Sequence, residues 1–254
     1  MSAAEIFSVQ GKVAFITGAA QGLGRAMAEA LVENGASVAL FDRDAKLLDE
    51  TAQNLRQQGG QVLALPGDVT DDAAVTAAIA ETTARLGPLG ICIANAGISD
   101  ARPGPLHRAD EADWQRVLDV NLNGLFYTCR AALAAMVPLG RGKLITVASM
   151  WGLAAPAGVF PRPAYAASKG AVVNLTREMA LHYADKGIQV NALCPGIFQT
   201  ETRPRDPAAA IAYTPMGRLG RPDEIKGAML FLASSASDFV TGTTLVIDGG
   251  VLAR

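Results

Sequence analysis

Tyr165 and Lys169 stand four residues apart. On a helix that spacing puts both side chains on one face. The face continues through Val172, Thr176 and Met179, so it is mostly a packed face, where a lysine is unfavourable unless its charge is used. A tyrosine hydroxyl titrates near ~10, too high for a base at neutral pH. A neighbouring ammonium favours the phenolate, lowers that value and makes the tyrosine a proton donor or acceptor. Spacing alone fits an exposed Tyr-Lys pair as well. Asn121 is an independent signal: it falls seven residues after Trp114, in the apolar stripe of Trp114, Val117, Leu118 and Leu125. A buried amide needs partners, so Asn121 is either a structural hydrogen-bonder or part of a polar network at a site. Ser149 follows the strand-like run Leu144–Val147. Its hydroxyl can bind a substrate oxygen, close a turn or cap a helix.

A second group of residues suits a dinucleotide. Val13–Thr17 reads as a strand and runs into Thr17-Gly18-Ala19-Ala20-Gln21-Gly22-Leu23-Gly24, after which a helix begins. Gly18 permits a tight turn, Gly22 admits a pyrophosphate close to the backbone, and Gly24 lets helix and strand pack closely. The helix start offers unpaired N–H groups and a positive dipole end to phosphate. Asp42 ends the next strand, 18 residues beyond Gly24. An acid there accepts hydrogen bonds from the adenosine ribose and repels the extra phosphate of NADP. Gln21 offers that phosphate no cation, whereas Arg43 could serve it. Asp42 outweighs Arg43, so NAD is expected and NADP stays open. Asp42 or Asp44 can also cap the following helix.

The elements that must hold these residues alternate in type. Strand-like runs cover Val13–Thr17, Val38–Phe41, Val62–Leu65, Gly90–Ala94, Leu144–Val147, Ile188–Leu193 and Thr244–Ile247. Helical periodicity covers Leu23–Leu31 (stopped by Gly35), Ala45–Gln58, Asp71–Arg85, Glu111–Met136, Ala164–Ala184 and Glu224–Leu232. This alternation predicts an α/β fold: a Rossmann-type, doubly wound, parallel seven-stranded sheet with helices on both faces. No repeat, low-complexity tract or linker divides residues 1–254, so a single dinucleotide-binding and catalytic domain is expected. Ligands of such sheets sit outside the carboxyl ends of the strands, which is where the residues above fall.

Half of the 254 residues are hydrophobic and 18% are charged, which allows a large core. A net charge of −2 offers nothing to attract nucleic acid or an anionic membrane. No basic run, signal-peptide pattern or apolar stretch near ~20 residues stands out. Met1–Gln10 reads as a short loose leader, and a soluble cytoplasmic protein is expected. Cys92, Cys129 and Cys194 are odd in number and widely spaced, which argues against disulfides and for buried thiols. His107 and His182 are far apart, so no metal site is expected.

Together these residues resemble the short-chain dehydrogenase/reductase family across nearly the whole chain. The matching features are Thr17–Gly24, Asp68-Val69 after the third strand and Asn95-Ala96-Gly97 after the fourth. They continue with the set Asn121, Ser149, Tyr165 and Lys169, and with Pro195-Gly196 followed by Thr200. The resemblance implies an oxidoreductase that passes a hydride between NAD(H) and a secondary alcohol or ketone: a polyol, a sugar, or a cyclic or bulky alcohol. It makes Tyr165 the general acid/base, with Ser149 bonded to the carbonyl or alcohol oxygen. Lys169 would hold the nicotinamide ribose and depress the tyrosine, and Asn121 would hold a relay water. Asp68 would contact the adenine, with Val69 packing beside it. Asn95, Ala96 and Gly97 would line the cofactor cleft. Pro195, Gly196, Phe198 and Thr200 would frame the nicotinamide amide and diphosphate. The cofactor supplies the hydride chemistry; the protein orients it and manages the proton.

Two departures from the family pattern bear on substrate. Ser149 and Tyr165 are 16 residues apart, longer than is commonest, and Phe160-Pro161-Arg162-Pro163 should shape the pocket mouth, as in sugar and polyol members. The segment from Thr200 to Pro215, where the family carries a substrate lid, is short. That suggests an open pocket and bulky or varied substrates. Ser99, Met150, Trp151, Phe160, Arg162 and Phe198 are pocket candidates; Trp151 and Phe160 can stack on a sugar or an apolar ring. Arg162 could meet a carboxylate, but without a carboxylate-binding cluster a neutral substrate is preferred. The resemblance also implies a homotetramer, with contacts from the Tyr165 helix, the helix around Asn121 and Gly249–Arg254. Two rival readings are an NADPH-linked 3-oxoacyl carrier-protein reductase, disfavoured by Gln21 and the acidic chain, and a non-catalytic cofactor-sensing regulator, disfavoured by the intact Tyr165/Lys169 pair.

Overall fold

In the computed structural model, residues 2–156, 160–201 and 206–253 are described. The apolar runs form seven strands: β1 (Val13–Thr17), β2 (Ser37–Asp42), β3 (Val62–Pro66), β4 (Leu89–Ala94), β5 (Gly142–Val147), β6 (Ile188–Pro195) and β7 (Thr244–Ile247). They build one sheet in the order β3-β2-β1-β4-β5-β6-β7, and every pairing is parallel. β1 and β5 are buried along their whole length. Burial on both faces is why these strands read as unbroken apolar runs rather than alternating ones.

The helices are α1 (Ala3–Ile6), α2 (Gly22–Glu33), α3 (Ala45–Gln57), α4 (Asp72–Leu86), α5 (Glu111–Leu118), α6 (Gly124–Met136), α7 (Pro163–Tyr183), α8 (Pro207–Tyr213) and α9 (Lys226–Ala233). Met27, Leu31, Leu48, Leu55 and Met229, from α2, α3 and α9, fill the core on one face of the sheet. Val75, Ile79, Leu133, Met136, Val172 and Met179, from α4, α6 and α7, fill the other. The doubly wound, seven-stranded architecture expected from the sequence is therefore present. The strand order reverses beside β1, and the loops after the carboxyl ends of β1 to β6 meet there.

Three local expectations need correction, and one segment, Thr200–Pro215, gains an element. The leader is not loose: Ser2 and Glu5 form a reciprocal capping box on α1, and Val9 is fully buried. The helix read as Glu111–Met136 is interrupted by a π-type turn at Asp119–Asn123, where an extra residue swells the coil. The stretch Thr200–Pro215 contains the short helix α8, whose start Asp206 caps by accepting from the Ala209 N–H at 2.9 Å. Finally, Glu111–Leu139 is apolar and long enough, by length and composition, to cross a membrane. Its buried side packs on α4 and β4, as a core helix does.

Candidate active site

A cleft of about 630 Å³ opens at the carboxyl ends of the strands. It is bordered by every residue expected to hold cofactor, from Gly18 through Asp42, Arg43, Asp68, Val69, Asn95 and Gly97 to Thr200. Ser99, Ser149, Trp151, Phe160, Arg162, Tyr165, Lys169 and Phe198 border it too, whereas Asn121 and Met150 lie behind its wall.

At one end the backbone makes the surface. Gly18 adopts φ +64°, and a Cβ on Gly24 would stand 2.0 Å from the Gly18 carbonyl oxygen. Any side chain at position 24 would therefore push α2 off the loop. Asn95 fastens the loop from below: its Nδ2 donates to the Thr17 and Gly18 carbonyls at 2.9 and 3.0 Å. The Thr17 hydroxyl in turn accepts from the Asn95 and Ala96 N–H groups. Asp42 accepts from the Ala20 N–H and the Asp44 N–H, both at 3.1 Å, while Asp44 caps α3 by accepting from Leu47. The start of α2 takes up anionic oxygen: the Gly22 N–H donates to a Glu201 carboxylate oxygen at 3.0 Å, and Arg25 pairs with its other oxygen at 2.8 Å. A glycine cradle, an N-terminus that receives an anion and an acid at the end of β2 together fit a dinucleotide.

At the other end side chains make the surface. Burial raises the Tyr165 hydroxyl above its ordinary value, and a hydrogen bond with Ser149 and the charge of Arg162 pull it partly back. Lys169 is buried, donates to the Val147 carbonyl at 2.7 Å and is pulled down to about 8 by burial. Its nitrogen lies 5.8 Å from the Tyr165 ring centre. Tyr165 is therefore raised rather than lowered overall: burial outweighs Ser149 and Arg162, while the Lys169 ammonium is engaged by the Val147 carbonyl of β5. Ser149 also accepts from the Trp151 N–H at 3.1 Å, capping a short turn.

Asn121 is fully buried, and its amide fastens the loop after β4. Its Oδ1 accepts from Ile98 N–H at 2.8 Å, and its Nδ2 donates to the Ile98 carbonyl and the Ser168 hydroxyl. Both N–H donors are used, which leaves the second lone pair of Oδ1 for any relay. A Cβ on Gly97 would lie 3.3 Å from the Lys169 nitrogen and 3.4 Å from Asn121 Oδ1, so a side chain there would crowd both.

Several contributors carried no clear local signal. Asp100 is buried and accepts from the Ala164 and Tyr165 N–H groups, fixing the start of α7 across 64 and 65 residues of sequence. Tyr213 on α8 packs tilted against Trp151 (5.6 Å) and edge-on to Phe160 (6.0 Å), forming an aromatic cluster that backs the cleft. Residues 157–159, beside the longer Ser149–Tyr165 interval, and 202–205, in the expected lid, lie outside the described residues.

A sequence profile described as enoyl-(acyl carrier protein) reductase, of the adh_short_C2 type, matches residues 18–252. The structure of a short-chain type dehydrogenase/reductase from Mycobacterium marinum superposes with a TM-score of 0.92 at 37% identity, covering 100% of both chains. The chain belongs to the short-chain dehydrogenase/reductase family. Among its curated relatives are a galactitol 2-dehydrogenase (L-tagatose-forming) of Cereibacter sphaeroides and a cis-4-hydroxycyclohexanecarboxylate dehydrogenase of Sinomonas cyclohexanicum. The first is 42% identical, over 96% of each chain. The second is 41% identical, over 95% of this chain and 97% of the relative. A gluconate 5-dehydrogenase from Burkholderia cenocepacia J2315, solved with NADP and tartrate, aligns over 100% of both chains at 38% identity with a TM-score of 0.92. This short-chain dehydrogenase is an oxidoreductase of secondary alcohols and the corresponding ketones.

Proposed function

We propose that the enzyme moves a hydride between NAD(H) and a polyol or a cyclic secondary alcohol, with Tyr165 transferring the proton. The observation that carries this reading is one cleft shared by the glycine loop and Asp42 at one end and by Ser149, Tyr165 and Lys169 at the other. When bound, the nicotinamide supplies or accepts the hydride. The raised Tyr165 hydroxyl is a protonated donor at neutral pH, as ketone reduction requires. Ser149 holds the substrate oxygen beside it. Lys169 orients the nicotinamide ribose, and its ammonium favours the Tyr165 phenolate in the reverse direction. Asn121 steadies the loop after β4 and lends its remaining lone pair to proton exchange. Asp42, held by two backbone N–H groups, favours NAD over NADP; exposed Arg43 is the residue that would serve NADP, the cofactor in the Burkholderia structure.

The relatives' printed names, galactitol, gluconate and a hydroxycyclohexanecarboxylate, support polyols and cyclic alcohols as the substrate class. The reading includes a single domain over residues 1–254 and a homotetramer. Exposed Phe126 on α6 and Leu181 on α7, the latter 82% exposed, support the tetramer. Three buried free thiols, with Cys129 pushed up to about 12 by burial, suit the cytoplasm.

The test is nicotinamide absorbance during turnover, with NAD and NADP assayed separately against secondary alcohols and polyols. Activity with NAD should fall about 10²- to 10⁴-fold in Tyr165→Phe while dinucleotide binding stays unchanged. Activity with NADP alone would transfer the Asp42 role to Arg43. Unchanged turnover in the variant would remove Tyr165 from the chemistry.

A further inference from the structure

Arg162 stands three residues before Tyr165, as the residue preceding the first turn of α7, and borders the cleft half-buried. One guanidinium nitrogen donates to the Ser99 hydroxyl at 2.5 Å. Among the described residues no carboxylate pairs with it. Two other arginines differ: Arg102 pairs with Asp110, and Arg116 on α5 with Asp113. The nearest acid in sequence across the loop, Asp100, is already engaged, because each of its oxygens accepts a backbone N–H from α7. Those same bonds use up the Ala164 and Tyr165 donors, and Pro163 has none, so the helix start offers an anion no backbone hydrogen.

We infer that Arg162, steadied by Ser99, is a carboxylate-binding subsite, and that the preferred substrates are secondary alcohols or ketones that carry a carboxylate. This rests on the dehydrogenase reading of the same cleft. A half-desolvated cation without an acid gains most from an anion that brings its own charge. The guanidinium fork has donors beyond the one given to Ser99 and can donate two parallel hydrogen bonds to a carboxylate. Arg162 and Tyr165 act on one region, since the arginine's charge draws the tyrosine hydroxyl down. Trp151 and Phe160 border the same cleft, backed by Tyr213, and offer an apolar surface to the carbon skeleton. Ser99, 63 residues away in sequence, fixes the arginine, which is why no local cluster announced the subsite.

The experiment compares charged and neutral ligands of one shape. Cyclohexanecarboxylate and cyclohexanecarboxamide are titrated into the NADH-saturated protein, with binding read by calorimetry. The acid should bind about 10- to 100-fold more tightly than the amide. Arg162→Gln should bring that ratio near one without weakening the amide, Arg162→Lys should restore part of it, and unchanged thermal unfolding should show that each variant folds. Equal binding of both ligands to the parent protein, binding of neither, or a preference that survives in Arg162→Gln would each overturn the subsite. Reduction of 3-oxocyclohexanecarboxylate and of its carboxamide is then followed. The acid's advantage in kcat/KM should vanish in Arg162→Gln, and a higher kcat/KM for the amide would also overturn the inference. If neither ketone is reduced but the acid still binds selectively through Arg162, the dehydrogenase reading fails and the subsite stands.

Discussion

The two ends of the cleft are built on different principles. The dinucleotide end is backbone: a left-handed Gly18, a Gly24 with no room for a side chain, and a helix start whose N–H receives an anion. The substrate end is side chains contributed by three separate loops, namely Ser99 after β4, Ser149 and Trp151 after β5, and Phe160 and Arg162 before α7. A backbone site tolerates few changes and serves one ligand. A side-chain site can be altered residue by residue while the sheet beneath it stays put.

Substitutions should break the two ends differently. The largest effect is expected from Gly24→Ala, whose methyl meets the Gly18 carbonyl. Overpacking of this kind destabilises by about 1–3 kcal/mol, and calorimetry should show a lower Tm together with a more than ~10-fold loss of dinucleotide affinity. Phe160→Ala should do the reverse, raising KM for cyclic substrates about three- to tenfold with an unchanged Kd for dinucleotide. A weakened dinucleotide Kd in that variant would erase the contrast.

Lys169 sits where the two ends meet, and pH should expose it. Its pKa is about 8 in the folded chain against an ordinary 10.5. Between those values the unfolded chain binds the extra proton, so the lysine's contribution to stability rises as pH increases through that window. The Tm difference between the parent protein and Lys169→Met should move in the parent's favour from pH 8 to 10.5, and a flat difference would place the charge in solvent. The smallest effect concerns Glu201, whose carboxylate competes for the Gly22 N–H. Glu201→Gln should tighten dinucleotide binding about two- to threefold, measured by calorimetric titration.

The contrast also explains what the sequence revealed. Strand positions were legible because both sheet faces are buried, and the glycine loop and Asp42 because backbone sites demand particular residue types. Asn121 was legible as an amide in an apolar stripe. The π-type turn around it was not, since no residue type marks where the coil widens. α8 and the leader helix did carry capping signals, in Asp206-Pro207 and in Ser2 with Glu5. Asp100, Ser99 and Tyr213 act through partners dozens of residues away, and no local pattern encodes such pairs. The upward shift of Tyr165 was not legible, because burial is a property of the folded surroundings that a four-residue spacing does not report.

Asp42 links recognition to architecture. Its two carboxylate oxygens are engaged by the main chain on either side, at Ala20 in the glycine loop and at Asp44 at the head of α3. An engineer who exchanged it for a neutral residue to admit a phosphorylated cofactor would also untie two segments of backbone. Coenzyme exchange in this scaffold is therefore a two-site redesign, in which new anchors for positions 20 and 44 must arrive together with the new charge.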